Sequence, residues 1–256
     1  MNKYTNEFIA EKIKENLQLD DKIHPGFSVD CVIITFYDNK LQILLNKLFL
    51  NSKWMLPGGF VYKDEDLEHA AYRILKNRTS LKDVYLEQFY TFGAVSRTNP
   101  DENEKLYTSY GLGDTDVRKK HSRFISTAYF ALVEYNKVII RKKEEDECKW
   151  FNIEDIPSLY ADHNLIIEKA LKHIRSQLEY LPIGFEMLPE KFTISELRKI
   201  HEGILGKELD RRNFQKKMLS SELIIKLDER RDTTSYPPPI LFSFNKEKIK
   251  ALREDL

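Results

Sequence analysis

The stretch at residues 54–81, WMLPGGFVYKDEDLEHAAYRILKNRTSL, decides the fold of this chain. It begins with a short apolar run that ends in Pro-Gly-Gly at residues 57–59, and these residues predict a loop. After the acidic residues 64–66, apolar side chains recur every three or four positions, which is the period of one helix face. These apolar positions are Leu67, Ala70, Ala71, Ile74 and Leu75. The stretch is therefore predicted to be a loop that leads into an amphipathic helix.

Apolar runs on both sides of this stretch predict the strands of a sheet. Upstream, SVDCVIITFY and LQILLNKL are joined by the polar turn DNK, which is the pattern of a hairpin. Downstream, VYLEQFYTFGAV, FISTAYFALV and the shorter CKWFNI predict three further strands, and a helix is predicted from about Asp162 to Tyr180. Strands and helices in this order predict an α/β or α+β sandwich.

The composition limits what the chain can be. Its 256 residues allow one large domain or two modest ones. The 41 basic and 41 acidic residues balance, so any surface for nucleic acid must be local. Cys31 and Cys148 lack metal-ligand spacing and fit a reducing compartment. Residues 1–20 have the pattern of an amphipathic helix, not of a signal peptide, and no apolar run is long enough for a membrane span. We therefore expect a cytoplasmic protein with no membrane partner.

The C-terminal third of the chain has a pattern of its own. The segment LPIGFEMLP breaks the preceding helical period and predicts a linker at residues 182–191. Beyond it, FTISELRKIHEGILG carries the capping box of Thr193 and Glu196 and predicts one helix. Asp210 can cap a second helix, RRNFQKKMLSS, and the runs LIIKL and ILFSF flank a polar tip with prolines. Two helices and a two-stranded ribbon predict a winged helix-turn-helix.

The run that begins at Gly59 resembles the Nudix box of the nucleoside-diphosphate hydrolase superfamily. That box reads Gly, five residues, Glu, seven residues, then Arg-Glu-U-x-Glu-Glu-x-Gly-U, where U is apolar. The frame of the box is present as Gly59, Glu65, Arg73, Leu75 and Leu81. Its glutamates after the arginine are absent. The residues in the altered positions are Ile74, Asn77 and Arg78 in place of glutamates and Ser80 in place of the second glycine.

The altered positions are those that carry the chemistry of a Nudix hydrolase. Glutamates three and four residues apart share one helix face and can hold Mg²⁺, which neutralises a pyrophosphate and activates water. Ile74 cannot bind a metal, Asn77 is a weak neutral ligand, and Arg78 places a positive charge beside the cation. We therefore expect no metal site, no cofactor and no catalytic residue. The alternative left open is a Mg²⁺-dependent hydrolase of ADP-ribose or another nucleoside diphosphate derivative.

A basic patch without acidic residues follows Asp210 and is predicted to contact DNA. In a helix-turn-helix, the first residues of the second helix reach base edges in the major groove. Arginine and lysine contact guanine or phosphate, and asparagine and glutamine can pair with adenine. The predicted DNA contacts are Arg211, Arg212, Asn213, Gln215, Lys216 and Lys217 in the helix, and Arg230 and Arg231 at the tip of the wing. The alternative for each is an ordinary solvated basic surface.

Together, the two halves resemble the Nudix-related transcriptional regulators. The resemblance implies an α+β protein in which a Nudix-like α/β/α sandwich senses a ligand and a winged helix-turn-helix binds DNA. It implies a homodimer on a near-palindromic operator, and a repressor of a sugar-utilisation or cofactor-metabolism operon. The predicted parts are an N-terminal helix at 1–24, the Nudix-like domain at 25–181, the linker at 182–191 and the winged helix at 192–256.

The same resemblance implies a small-molecule effector, either a sugar or an ADP-ribose-like compound. The predicted effector contacts are Glu65, Arg97 and Arg123. Between the two arginines this chain inserts a long polar stretch, residues 98–122, so the identity of the effector is not carried over from the family. A third class of function stays open, because some winged helices bind protein and not DNA.

Overall fold

The computed structural model describes residues 22–48, 53–81, 84–99, 101, 104, 108, 123–140, 146–178, 183–232 and 237–254. The first strand begins at Ile23, within the range predicted for the N-terminal helix, and the rest of that helix lies outside the described residues. Most of the inserted stretch 98–122 also lies outside them. Within the described part of the chain, no helix is long and apolar enough to cross a membrane.

The first domain is built on a six-stranded sheet. Its strands are β1 (Ile23–Tyr37), β2 (Lys40–Leu48), β3 (Gly58–Tyr62), β4 (Leu86–Phe92), β5 (Ile125–Val133) and β6 (Asp146–Asn152). The main order is β4-β5-β1-β2-β6, and β3 also pairs with β1. The central pair β1 and β5 is parallel, and the other pairs are antiparallel. The hairpin predicted upstream is confirmed as β1 and β2.

One helix covers each face of this sheet. Helix α1 (Leu67–Thr79) packs on Cys31 and Ile33 of β1, whereas helix α2 (His163–Gln177) shares a core with Val32 and Ile34. Because neighbouring residues of a strand point to opposite faces, a strand covered on both sides is apolar without alternation. That is why the central part of β1 is a continuous apolar run. The predicted α/β/α sandwich is confirmed.

The Pro-Gly-Gly segment differs from the prediction of a simple loop. Gly58 and Gly59 begin strand β3, which pairs with Asp30 and Val29 of β1. A Cβ atom at Gly58 would lie 2.3 Å from Oδ1 of Asp30. Glycine is therefore favoured here because the Asp30 carboxylate occupies the space of a side chain, a reason that the local sequence does not reveal.

The second domain has the predicted winged helix-turn-helix order. Its elements are α3 (Ile183–Met187), β7 (Phe192–Thr193), α4 (Ile194–Leu205), α5 (Arg211–Ser220), β8 (Ile224–Arg230), β9 (Ile240–Phe244) and α6 (Lys246–Glu254). Helix α4 begins directly after Thr193, the N-cap of the predicted capping box, and ends at Leu205, with Gly206 as its C-cap at a φ of 67°. The three strands form a sheet in the order β7-β9-β8. Helix α6 was not anticipated by the sequence analysis.

The two domains pack directly on each other. One apolar core runs from the α2 face of the first sheet into the winged helix, and includes Ile174 of α2 and Ile200 of α4. Gly203 of α4 lies against Leu41 of β2 so closely that an added Cβ would be 2.9 Å from its side chain. Arg175 of α2 also donates its Nε hydrogen to the Ile204 carbonyl near the end of α4. The winged-helix domain therefore packs on the first sheet and on α2.

Candidate functional site

The degenerate box positions lie on α1, and their surroundings do not fit Mg²⁺. Ile74 is buried in the core at 4% exposure, Asn77 is exposed, and Arg78 is half-buried. No group of three or more His, Cys, Asp or Glu side chains that could hold a metal occurs among the described residues. None of these three positions thus offers a carboxylate to the Mg²⁺ that the Nudix fold implies.

Glu65 is occupied by contacts within the protein. Its Oε1 accepts the Tyr62 N–H at 2.8 Å, and its Oε2 accepts from Nε of Arg73 at 2.9 Å. The same guanidinium donates to the Phe60 carbonyl at 2.8 Å and lies 4.0 Å above the Tyr62 ring. Burial by itself raises the pKa of Glu65, but Arg73 and the Tyr62 N–H outweigh burial and leave the pKa below its usual value. This ion pair fastens the loop between β3 and α1.

Arg97 forms the centre of a buried polar cluster. It is 5% exposed and donates to Asp162 at 2.9 and 3.1 Å, and to the Phe124 carbonyl at 3.1 Å. Its Nη2 lies 3.5 Å from Asp30, which also accepts the Ser126 hydroxyl at 2.6 Å. The arginine thereby joins β1, β5 and the start of α2. A direct effector contact would require its guanidinium to exchange one of these partners.

His163 completes the same cluster from the first turn of α2. Its Nδ1 accepts the Leu56 N–H at 2.9 Å, and its Nε2 lies 3.7 Å from Asp30. Burial lowers the pKa of His163 below its usual value, although Asp30 and Asp162 act to raise it. The sequence analysis missed Asp30, Ser126, Asp162 and His163 as a group. The available signal was a single aspartate inside the apolar run of β1.

The third predicted effector residue, Arg123, lies at the surface. Its guanidinium donates to the Gly93 carbonyl at 2.7 Å. The next residue, Phe124, holds Arg97 through its carbonyl and lies 5.4 Å from the Phe60 ring. Since the Phe60 carbonyl holds Arg73, the three predicted residues belong to one region at the ends of β3 and β5. Contacts through Phe124 and Phe60 thus link the three predicted residues, and the charged group of each is bonded within the protein.

Helix α5, which is predicted to contact DNA, has an inner apolar face and an outer basic face. Phe214 and Met218 are buried at 7% and 9% exposure, and Asp210 caps the helix by accepting the Asn213 N–H at 2.9 Å. The exposed polar residues of the helix include Arg211, Arg212, Asn213, Lys216 and Lys217, and Gln215 is half-buried. The basic face is thus open to a partner.

A buried histidine supports this helix from behind. His201 of α4 packs edge-on against Phe214, with ring centres 5.1 Å apart. Burial, assisted by the positive charge of Lys217, lowers the pKa of His201 to about 4. The histidine is therefore neutral near pH 7 and acts as a core side chain.

The two wing arginines lie in different environments. Arg230 is exposed and donates to the Pro238 carbonyl across the hairpin at 2.7 Å. Arg231 is half-buried and donates to Oε1 of Glu196 at 2.6 Å. The sequence analysis placed both at the tip of the wing. The structure instead places Arg230 as the last residue of β8, paired with Ile240, and Arg231 directly after it.

Comparison with known proteins agrees with this architecture. The NUDIX domain model matches residues 27–173, and the model of the NrtR DNA-binding winged helix domain matches residues 184–244. The chain is 27% identical over 219 residues to the ADPR responsive transcriptional repressor NtrR of Acinetobacter baylyi, covering 83% of this chain and 79% of that protein.

Two solved structures extend this likeness to the arrangement of both domains. Shewanella oneidensis NrtR complexed with a 27mer DNA superposes with a TM-score of 0.67 at 26% identity, covering 88% of this chain and 95% of that one. A MutT/nudix family protein from Enterococcus faecalis, at 22% identity and a TM-score of 0.63, covers 90% of this chain and 98% of its own, and shows the shared fold. The chain therefore belongs to the Nudix domain family and carries an NrtR-type DNA-binding winged helix domain at residues 184–244.

Proposed function

We propose that this protein is a transcriptional repressor that binds DNA through α5 and the wing and whose Nudix domain senses a small-molecule effector. The observation that carries the proposal is the exposed basic face of α5, which Phe214 and Met218 anchor to the domain. This is the geometry that a helix needs to enter a major groove while its other face stays packed. The similar Shewanella oneidensis protein was solved with DNA, and the Acinetobacter baylyi relative is a transcriptional repressor.

The effector we propose is ADP-ribose or a closely related nucleoside diphosphate derivative, which favours a cofactor-metabolism operon over a sugar-utilisation operon. The support is the name of the Acinetobacter baylyi relative, which responds to ADPR. Arg123 is the predicted effector contact that is exposed, and its planar, permanently charged group suits a diphosphate. Glu65 and Arg97 enter this proposal as residues that shape the site, because their charged groups are bonded within the protein.

We further propose that the Nudix domain binds this compound without hydrolysing it. The support is the buried Ile74 and the absence of carboxylates at Asn77 and Arg78. As a regulator on genomic DNA the protein would work in the cytoplasm, and as a homodimer it would match a two-fold symmetric operator.

A DNA titration and an assay of AMP release together distinguish a regulator from a hydrolase. Fluorescence anisotropy at fixed salt compares a duplex from the region upstream of the protein's own gene with a scrambled duplex, with and without ADP-ribose. We expect tight binding to the first duplex, weak binding to the second, and a change in the first affinity when ADP-ribose is added. Equal affinity for both duplexes would contradict the regulator. Release of AMP from ADP-ribose that requires Mg²⁺ and is lost in Glu65→Gln would instead support the hydrolase.

A further inference from the structure

Two adjacent arginines at the end of β8 bind partners of opposite kinds. Arg230 is bonded to the neutral carbonyl of Pro238 and its side chain is exposed. Arg231 is bonded to the carboxylate of Glu196 at 2.6 Å, and 33% of its side chain is exposed. Its backbone N–H also donates to the Pro239 carbonyl at 2.9 Å, which closes the hairpin. Arg231 is thus tied to the domain by its main chain and by its side chain.

Glu196 uses its two oxygens for two different tasks. Oε2 accepts the Thr193 N–H at 2.7 Å and the Thr193 hydroxyl at 2.9 Å, which completes the capping box of α4. Oε1 is left for Arg231. Although burial raises the pKa of Glu196, the bonds from Arg231 and Thr193 lower the pKa below its usual value. The carboxylate is therefore ionised, and its bond to Arg231 is of the stronger, charge-assisted kind.

This pair also lies where the two domains meet. Arg231 and Glu196 line a cleft of about 340 Å³ together with Tyr37 at the end of β1 and Leu188 directly after α3. Thr193 pairs with Leu241 of β9, so the capping box is continuous with the sheet of the wing. The ion pair therefore connects the wing to the start of α4 at the side that faces the Nudix domain.

We infer that Arg231 is a positioning residue that holds the wing against α4, and that Arg230 makes the DNA contact of the wing. The inference rests on the proposed DNA-binding function. If Arg231 moved to a phosphate, it would break a charge-assisted bond and leave the Glu196 carboxylate unpaired beside the polyanion. Arg230 gives up only a bond to a neutral carbonyl, and its side chain is exposed.

The consequence for DNA is tested with the full-length protein and the upstream duplex over a series of salt concentrations. Loss of one phosphate contact reduces the slope of log K against log salt by about 1, whereas loss of positioning weakens binding at every salt concentration without changing that slope. We expect the slope change in Arg230→Ala. In Arg231→Ala we expect a roughly tenfold loss of affinity with the wild-type slope, and recovery of part of the loss in Arg231→Lys.

Changing Glu196, the partner of Arg231, has opposite expected effects depending on whether Arg231 positions the wing or contacts DNA. Glu196→Gln should weaken binding if Arg231 positions the wing, and should strengthen binding if Arg231 must be released to reach DNA. Glu229→Gln, which removes an equal charge from the wing, corrects for long-range repulsion. The double variant Arg231→Ala with Glu196→Gln should bind DNA with an affinity no lower than that of the single variant that binds more weakly. Stronger binding by Glu196→Gln than by Glu229→Gln, or a reduced slope in Arg231→Ala, would overturn the inference.

A measurement without DNA separates this inference from the proposed function. Hydrogen exchange of the backbone amides in β8 and in the first turn of α4 should be faster in Arg231→Ala than in wild type and Arg230→Ala. Exchange in β1 should be the same in all three proteins, which confirms that the Nudix domain is folded. Unchanged exchange in β8 would overturn the positioning role. Failure of the wild type to prefer its upstream duplex would overturn the proposed function and leave this readout intact.

Discussion

The cluster around Arg97 and the outer face of α5 use positive charge in contrasting ways. Arg97 is 5% exposed and is bonded to Asp162 and to the Phe124 carbonyl. On α5, Arg212 and Lys216 lie in solvent, and no bond from either is seen to the described residues. A buried charge must be paired because desolvation is expensive, whereas an exposed charge can stay available for a partner. The Nudix domain therefore uses its charge to hold its own elements together, and the winged helix presents its charge outward.

Loss of the buried Arg97 is expected to have the largest effect on stability. Arg97→Ala leaves Asp162 and Asp30 without their cation, and removal of one member of a buried ion pair typically destabilises by about 3 to 5 kcal/mol. Urea unfolding should report a loss of this size. The matched control is Arg123→Ala, which removes an exposed arginine and should change stability by less than about 0.5 kcal/mol. Equal losses in the two variants would show that Arg97 is no more structural than a surface residue.

The exposed side of the comparison predicts a loss of binding without a loss of stability. Each base contact is worth about 1 to 3 kcal/mol, so Arg212→Ala with Lys216→Ala should weaken operator binding by about 2 kcal/mol or more, at least thirtyfold. Anisotropy at fixed salt measures the loss, and the melting temperature should stay at the wild-type value. The control is Lys76→Ala with Lys172→Ala, which removes the same charge from exposed positions of α1 and α2. Unchanged operator affinity in the first variant would exclude α5 as the reader.

His201, which packs behind α5, is expected to have a smaller effect on stability that depends on pH. His201 has a pKa of about 4 in the folded protein and about 6.5 when unfolded, so the unfolded state binds more protons between these values. The contribution of the neutral histidine to stability is therefore present above pH 6.5 and is lost as the pH falls toward 4. Between pH 7 and pH 5 the stability of wild type relative to His201→Gln should fall by about 2 kcal/mol.

Urea unfolding of both proteins at the two pH values measures this difference. His69→Gln serves as the matched control, because His69 is exposed on α1. Its stability relative to wild type should be the same at pH 7 and pH 5. A difference between wild type and His201→Gln that does not change with pH would show that His201 is not buried in its neutral form.

The sequence predicted much of the fold, because most of its elements have local signals. The capping box of Thr193 and Glu196, the Asp210 cap and the hairpin of β1 and β2 all appear where their patterns placed them. Strands β3 and β7 and helices α3 and α6 were missed. Strand β3 depends on pairing with β1, a neighbour distant in the chain. Helix α6 follows Asn245, which accepts the Lys248 N–H, but a single asparagine is a weak signal in the sequence.

The candidate site was predicted less completely than the fold. Arg97 and Arg123 were chosen by their positions in a family pattern, and Glu65 by the box, but none of these reasons reveals whether a side chain is free. The decisive partners lie far along the chain: Asp162 is 65 residues from Arg97, and Glu196 is 35 residues from Arg231. Only the parallel pairing of β1 with β5 and the seating of α2 bring the first of these pairs together.

By itself, the amino-acid sequence determined the helical and extended periods, the loss of glutamates at Ile74, Asn77 and Arg78, and the basic run on α5. These are properties of residue identity and of spacing within a few turns, which local sterics and hydrogen bonding translate into structure. The tertiary structure alone decided that Arg97 is buried and bonded, that Arg231 faces Glu196, and that Arg212 and Lys216 are exposed. The reason is physical: desolvation and charge pairing depend on which distant elements pack together, and packing is a property of the whole chain.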